Sequence, residues 1–112
     1  MAECIFCKII NRESPSEIVY EDIKFIAIKD TKPVARLHLL IIPKKHIPSI
    51  NDLDYEHKEL IGDMVLLAKK IAKDKGVQDT GYRLVFNAGA DAGQTIEHLH
   101  LHLLGGEKLP FA

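Results

Sequence analysis

The feature that most limits how this chain can fold is the stretch HLHLHLL at residues 98–104, where imidazole and leucine side chains alternate for six positions. Strict alternation suits an extended strand, in which successive side chains point to opposite faces, and would scatter leucines around all sides of a helix. Leu99, Leu101 and Leu103 then face a core, while His98, His100 and His102 share the other face. At ~3.3 Å per residue the outer two histidine Cα atoms lie about 13 Å apart, too far for three imidazoles of one straight strand to share one ion. A neighbouring pair can still bind metal with ligands from elsewhere. The plain reading is a half-polar strand with solvated or hydrogen-bonded imidazoles. Three of the chain's six histidines in perfect alternation favour instead imidazole catalysis or metal binding.

The remaining segments supply partners for such a strand. CIFCKII (residues 4–10) reads as a short helix ended by NRESPS, with a turn at Ser14 and Pro15. EIVYED and KFIAIKD are β-branched and aromatic runs parted by Glu21 and Asp22, the pattern of a hairpin. LHLLIIP at 37–43 is a third strand, stopped by Pro43, which has no N–H to donate. Between Leu53 and Lys75 the period changes: Leu60, Met64, Leu67 and Ile71 recur at three- and four-residue steps, the stripe of an amphipathic helix. Asn51, Asp52 and Asp54 are its candidate N-caps and Gly76 its stop. YRLVFN at 82–87 and the histidine stretch complete the strands. The order predicts an α+β fold: a mainly antiparallel sheet of about five strands, a short N-terminal helix, and one long helix on one face, with the other face free for a ligand or partner.

A length of 112 residues fits a single domain, spanning 1–112, and no repeat or linker divides it. Fifteen Lys and Arg against sixteen Asp and Glu leave a net charge of −1, which argues against nucleic acid or an acidic membrane as partner. No apolar run approaches the ~18 residues of a membrane span, and the N-terminus lacks the pattern of a secretion signal. The expected location is cytoplasmic. In that reducing setting Cys4 and Cys7 are better read as metal ligands, a redox pair or two unrelated thiols than as a disulfide.

Directly upstream of the histidines, NAGADAGQT (87–95) gathers Gly89, Gly93, Asn87, Gln94 and Thr95. Glycines at positive φ let backbone N–H groups approach an anion. Alone this is an ordinary polar loop; beside a candidate imidazole nucleophile it suggests phosphoryl or nucleotidyl transfer. Asp30, at the end of the second strand, reads by itself as a turn cap before Pro33, and Phe6, Ile9 and Ile28 as plain core. His38 and His57 read as surface imidazoles.

These segments together resemble the histidine-triad family. HLHLHLL matches its His-x-His-x-His-x-x signature, and IFCKIINRESPSEIVYED, KDTKPVARLHLLIIPKKHI, GYRLVFNAGADAGQT and LLGG follow in the family's order over nearly the whole chain. The resemblance is to the branch of small adenosine-phosphoramidate hydrolases. It implies His100 as the nucleophile on the α-phosphate, forming a nucleotidyl-histidine, and His102 as the group attending phosphate and leaving amine. It also implies Asn87, Gly93, Gln94 and Thr95 around the phosphate, Asp30 on the ribose hydroxyls, and Phe6, Ile9 and Ile28 around a purine base. Some members bind structural zinc, which carried over here gives the ligands Cys4, Cys7, His46 and His98. The resemblance further implies a homodimer in which two five-stranded sheets join. Rival activities are hydrolysis of dinucleoside polyphosphates and nucleotide-dependent regulation with little turnover.

Overall fold

A computed structural model describes residues 4–111. A short helix, α1 (Ile5–Ile10), leads into strands β1 (Ile18–Glu21), β2 (Phe25–Lys29) and β3 (Leu37–Pro43). The long helix α2 (Lys58–Asp74) follows, then β4 (Tyr82–Val85) and β5 (Leu101–Gly105). The strands form one sheet in the order β1-β2-β3-β5-β4, every neighbouring pair antiparallel. The expected α+β architecture is the one observed.

Alternation along each strand builds two separate cores. Phe25, Ala27, Leu39, Ile41, Leu101 and Leu103 pack beneath Met64, Leu67, Ala68 and Ile71 of α2. On the opposite face Ile26, Ile28, Leu40 and Ile42 meet Phe6 and Ile9 of α1. The face expected to be free is therefore partly covered. A β2 strand with one polar face would have left α1 nothing to bury, but Ile26 and Ile28 make both faces apolar.

Local chemistry explains the boundaries. At the β1–β2 turn the Asp22 carboxylate accepts the N–H groups of Lys24 and Phe25, at 2.8 and 2.7 Å. Helix α2 starts later than Leu53. Ser49 and Asp54 each cap a separate single turn, Ile50–Asp52 and Tyr55–His57, so regular α-helix begins only at Lys58. Its end is the expected one, with Gly76 at φ 79° just past the last turn.

The histidine strand is shorter than its alternation suggests, since ladder pairing begins at Leu101, opposite Ile41. Its side-chain facing is as expected, with the three alternate leucines in the helix-side core. Pro43 explains the shortening. It has no N–H, and its carbonyl accepts instead from the His98 ring Nε2 at 2.8 Å. Leu99 is held outside the ladder by its N–H donating to the Ile47 carbonyl at 2.6 Å. Among the described residues no helix is long and apolar enough to cross a membrane.

Candidate active site

Between α1, the ends of β2 and β3, and the approach to β5 lies a cavity of about 440 Å³, the size of a small-molecule site. Phe6, Ile9, Ile28 and Leu40 make its apolar wall, and Asp30, Asn87, Gly93, Thr95, His100 and His102 bring polar atoms to it. Residues that the sequence scatters over almost the whole chain are thus assembled around one space. Ile5, Ser16, Thr31 and Lys32 also line it and were not singled out by sequence.

Each triad histidine has its proton placed by a partner of known polarity. A carbonyl can only accept, so the 2.7 Å contact from His100 Nδ1 to the His98 carbonyl puts the proton on Nδ1 and leaves Nε2 as a lone pair. The same logic puts the His98 proton on Nε2, toward Pro43, and leaves its Nδ1 free to coordinate. For His102 the deciding neighbour is His38. Val34 N–H donates to His38 Nδ1 at 3.1 Å, so His38 carries its proton on Nε2, 3.0 Å from His102 Nδ1. His102 therefore accepts at Nδ1 and holds its own proton on Nε2, available to an incoming ligand.

His38 corrects the sequence reading. It is 7% exposed rather than at the surface, and its Nε2 also lies 3.3 Å from the Asp30 carboxylate. Leu40 pairs with His102 across β3 and β5, so His38 is its diagonal neighbour on the same face. Only the strand pairing reveals this; the signal in the sequence was a histidine on the alternate positions of LHLLII. His57 is likewise largely covered, its Nδ1 accepting from Asp54 N–H at 3.1 Å.

Burial holds His102 and His38 neutral. It lowers the His102 pKa to about 4, helped by the neighbouring His100 and His38. It also lowers His38, against an opposing pull from Asp30.

Gln94 departs from expectation. Its side-chain oxygen accepts from Gly89 N–H at 2.9 Å, and its amide nitrogen donates to the carbonyls of Pro48 and Ile96 at 2.8 and 3.0 Å. With its amide so engaged, and absent from the cavity wall, the Gln94 side chain braces the loop. The loop is a single turn, Ala90–Ala92, between Gly89 at φ 88° and Gly93 at φ 86°. A Cβ on Gly93 would meet nothing within 4 Å, so glycine is needed there for conformation rather than for space.

Behind the cavity, Cys4, Cys7, His46 and His98 form a second cluster whose ligand atoms all lie within 4.8 Å of one another. Cys4 Sγ and His98 Nδ1 are 3.3 Å apart, Cys7 Sγ and His46 Nδ1 3.3 Å, and the two Nδ1 atoms 3.0 Å. A tetrahedron with metal–ligand bonds of ~2.0–2.3 Å has edges of about 3.3–3.8 Å, so two thiols and two imidazoles are set as a closed Cys₂His₂ site requires. The His98 Nε2–H bond to Pro43 is the outer support such a ligand normally has. Cys4 caps α1, and Phe6, one turn in, sets its ring edge-on to His98 and His100.

This arrangement, a lone-pair imidazole beside a proton-bearing one in a nucleotide-sized cavity, defines a class that comparison with known proteins identifies. Residues 3–109 match the family model described as "Scavenger mRNA decapping enzyme C-term binding". The chain is 48% identical to the purine nucleoside phosphoramidase of Escherichia coli strain K12, over 96% of this chain and 90% of that protein. A HIT family hydrolase from Legionella pneumophila superposes with a TM-score of 0.96 at 47% identity, covering 97% of each chain. A zinc-bound histidine triad family protein from Mycobacterium smegmatis is similar too, with a TM-score of 0.80 at 32% identity over 97% of this chain and 81% of that one. The chain belongs to the histidine-triad family of hydrolases.

Proposed function

We propose that this protein hydrolyses purine nucleoside 5′-phosphoramidates, releasing the nucleoside monophosphate and an amine. The observation that carries the reading is the His100 ring, whose Nδ1 is committed to the His98 carbonyl so that Nε2 carries the lone pair. The 48% identity to a purine nucleoside phosphoramidase supports the same substrate class.

In the first step His100 Nε2 attacks phosphorus and the P–N bond breaks, the departing nitrogen taking its proton from solvent while the His102 Nε2–H donates a hydrogen bond to it. In the second, water attacks the nucleotidyl-histidine, its proton returns to solvent, and His100 is released as the neutral imidazole. Asn87, Gly93 and the Thr95 backbone and hydroxyl hold the phosphate oxygens, where positioning and charge stabilisation carry most of the catalysis. Asp30 binds the ribose hydroxyls. Phe6, Ile9 and Ile28 sandwich the base through apolar contact, which favours purines by area more than by hydrogen-bond readout.

Cys4, Cys7, His46 and His98 hold structural zinc, whose contribution is to pin α1 to the segment that carries His100 into β5. A reducing cytoplasmic setting keeps both thiols available for it. The whole of residues 1–112 acts as one domain. Two copies pair through the free edge of β4 so that two sheets become one, with Phe111, 98% exposed at the chain's end, docking on the neighbour.

Turnover of adenosine 5′-phosphoramidate against diadenosine polyphosphates tests the reading, with His100→Ala as control. We expect faster phosphoramidate cleavage, abolished in the variant. Faster polyphosphate cleavage overturns the substrate class. Negligible wild-type turnover of both, with nucleotide binding kept in His100→Ala, makes the protein a binder instead.

A further inference from the structure

Building on the phosphoramidate reading, we propose that His38 is a positioning residue that links recognition of the ribose diol to the orientation of His102, the hydrogen-bond donor to the leaving amine.

The single Nε2 proton of His38 faces two acceptors at once, His102 Nδ1 at 3.0 Å and Asp30 Oδ2 at 3.3 Å. Its position on Nε2 is not negotiable, because Nδ1 is occupied by the Val34 N–H. The other Asp30 oxygen is likewise engaged, accepting from Lys32 N–H at 2.8 Å. Oδ2 is thus the oxygen through which a ligand hydroxyl is felt at His38.

In the free protein the carboxylate competes for the His38 proton. A ribose hydroxyl donating to Oδ2 satisfies that oxygen and weakens its hold, and the His38 N–H hydrogen bond settles on His102 Nδ1, the proton staying on His38. His102 is then held firmly in the orientation that aims its own Nε2–H at the leaving amine. Without the diol, the His38 proton is shared with Asp30, and the His102 ring is held less firmly in that orientation. The link runs through direct contacts between three buried or half-buried side chains, so it needs no movement of the backbone. It makes the ribose a condition for that hydrogen bond to the leaving group as well as a handle for binding.

The kinetic test compares adenosine 5′-phosphoramidate with its 2′,3′-dideoxy counterpart on wild type, His38→Leu and His38→Gln. In wild type, loss of the diol should raise KM and also lower kcat about tenfold, the worth of one hydrogen bond. In His38→Leu, kcat should already be lower by a similar factor, and removing the diol should change KM alone. His38→Gln, which keeps a donor, should recover part of kcat. A kcat penalty for the dideoxy substrate that is absent in wild type, or equal in wild type and His38→Leu, overturns the proposal.

A second measurement needs neither a variant nor turnover. The ¹⁵N shifts of the His102 ring in wild type should report an unprotonated Nδ1 that moves upfield, toward a stronger accepted hydrogen bond, with AMP but not with 2′,3′-dideoxy-AMP. Protonated Nδ1 in the AMP complex, or no difference between the two ligands, overturns the link. Failure of the phosphoramidate reading shows separately, as wild-type inactivity toward the amidate while the His102 signals still respond.

Discussion

The His100 Nδ1 atom lies 2.7 Å from the carbonyl oxygen of His98, two residues back on the approach to β5. One residue of the triad therefore orients the proposed nucleophile with its backbone while its ring, turned the other way, belongs to the Cys4/Cys7/His46 cluster. In the proposed mechanism, metal and chemistry meet at one amino acid without sharing an atom.

Removing the metal should therefore cost stability before it costs chemistry. Cys7→Ser, or treatment with a chelator, is expected to lower Tm by several degrees, at roughly 4 °C per kcal/mol for a domain of this size. Activity per folded molecule should persist below the transition. Loss of activity at full folding, followed by circular dichroism, would place the metal in the reaction instead.

Acid should destabilise the fold through His102 and His38. Both have folded pKa values below the ordinary 6.5, so the unfolded chain binds more protons and stability falls as pH drops. For His102 the window runs from about 6.5 down to about 4, and its size is on the order of 3 kcal/mol. Urea midpoints measured at pH 7.5 and pH 5 should show the loss, and His102→Gln should flatten part of the slope.

Gln94→Ala tests the loop brace. Three hydrogen bonds are lost, two of them anchoring the loop to Pro48 and Ile96. The expected result is a loss of about 1–3 kcal/mol in stability with a rise in KM, because the loop carries Thr95 to the cavity wall. An unchanged KM would sever the brace from the binding site.

Leu103→Ala probes the opposite face of the histidine strand. Leu103 is fully buried beneath α2, and its truncation should cost about 2–5 kcal/mol, read as a lower urea midpoint. Its neighbours His100 and His102 face away, so kcat at saturating substrate should change little.

Much of this was legible in residue order because it depends on local periodicity. The alternation at 98–103 determined which side chains face the core, the three- and four-residue recurrence determined the buried stripe of α2, and Pro43 and Gly76 ended their elements. The motif resemblance assembled the donors of the cavity in advance. Boundaries were less legible, since the start of α2 depends on whether Ser49 and Asp54 cap one helix or separate turns.

What only the tertiary structure decided are the relationships between distant segments. His38 and His102 stand 64 residues apart and meet because the β3–β5 register sets them diagonally on one face. Gln94 donates to the Pro48 and Ile96 carbonyls because its loop folds back on Pro48. Periodicity states which face a side chain takes. Which side chain it meets there depends on how strands far apart in sequence are aligned, and that alignment is set by burying both cores at once.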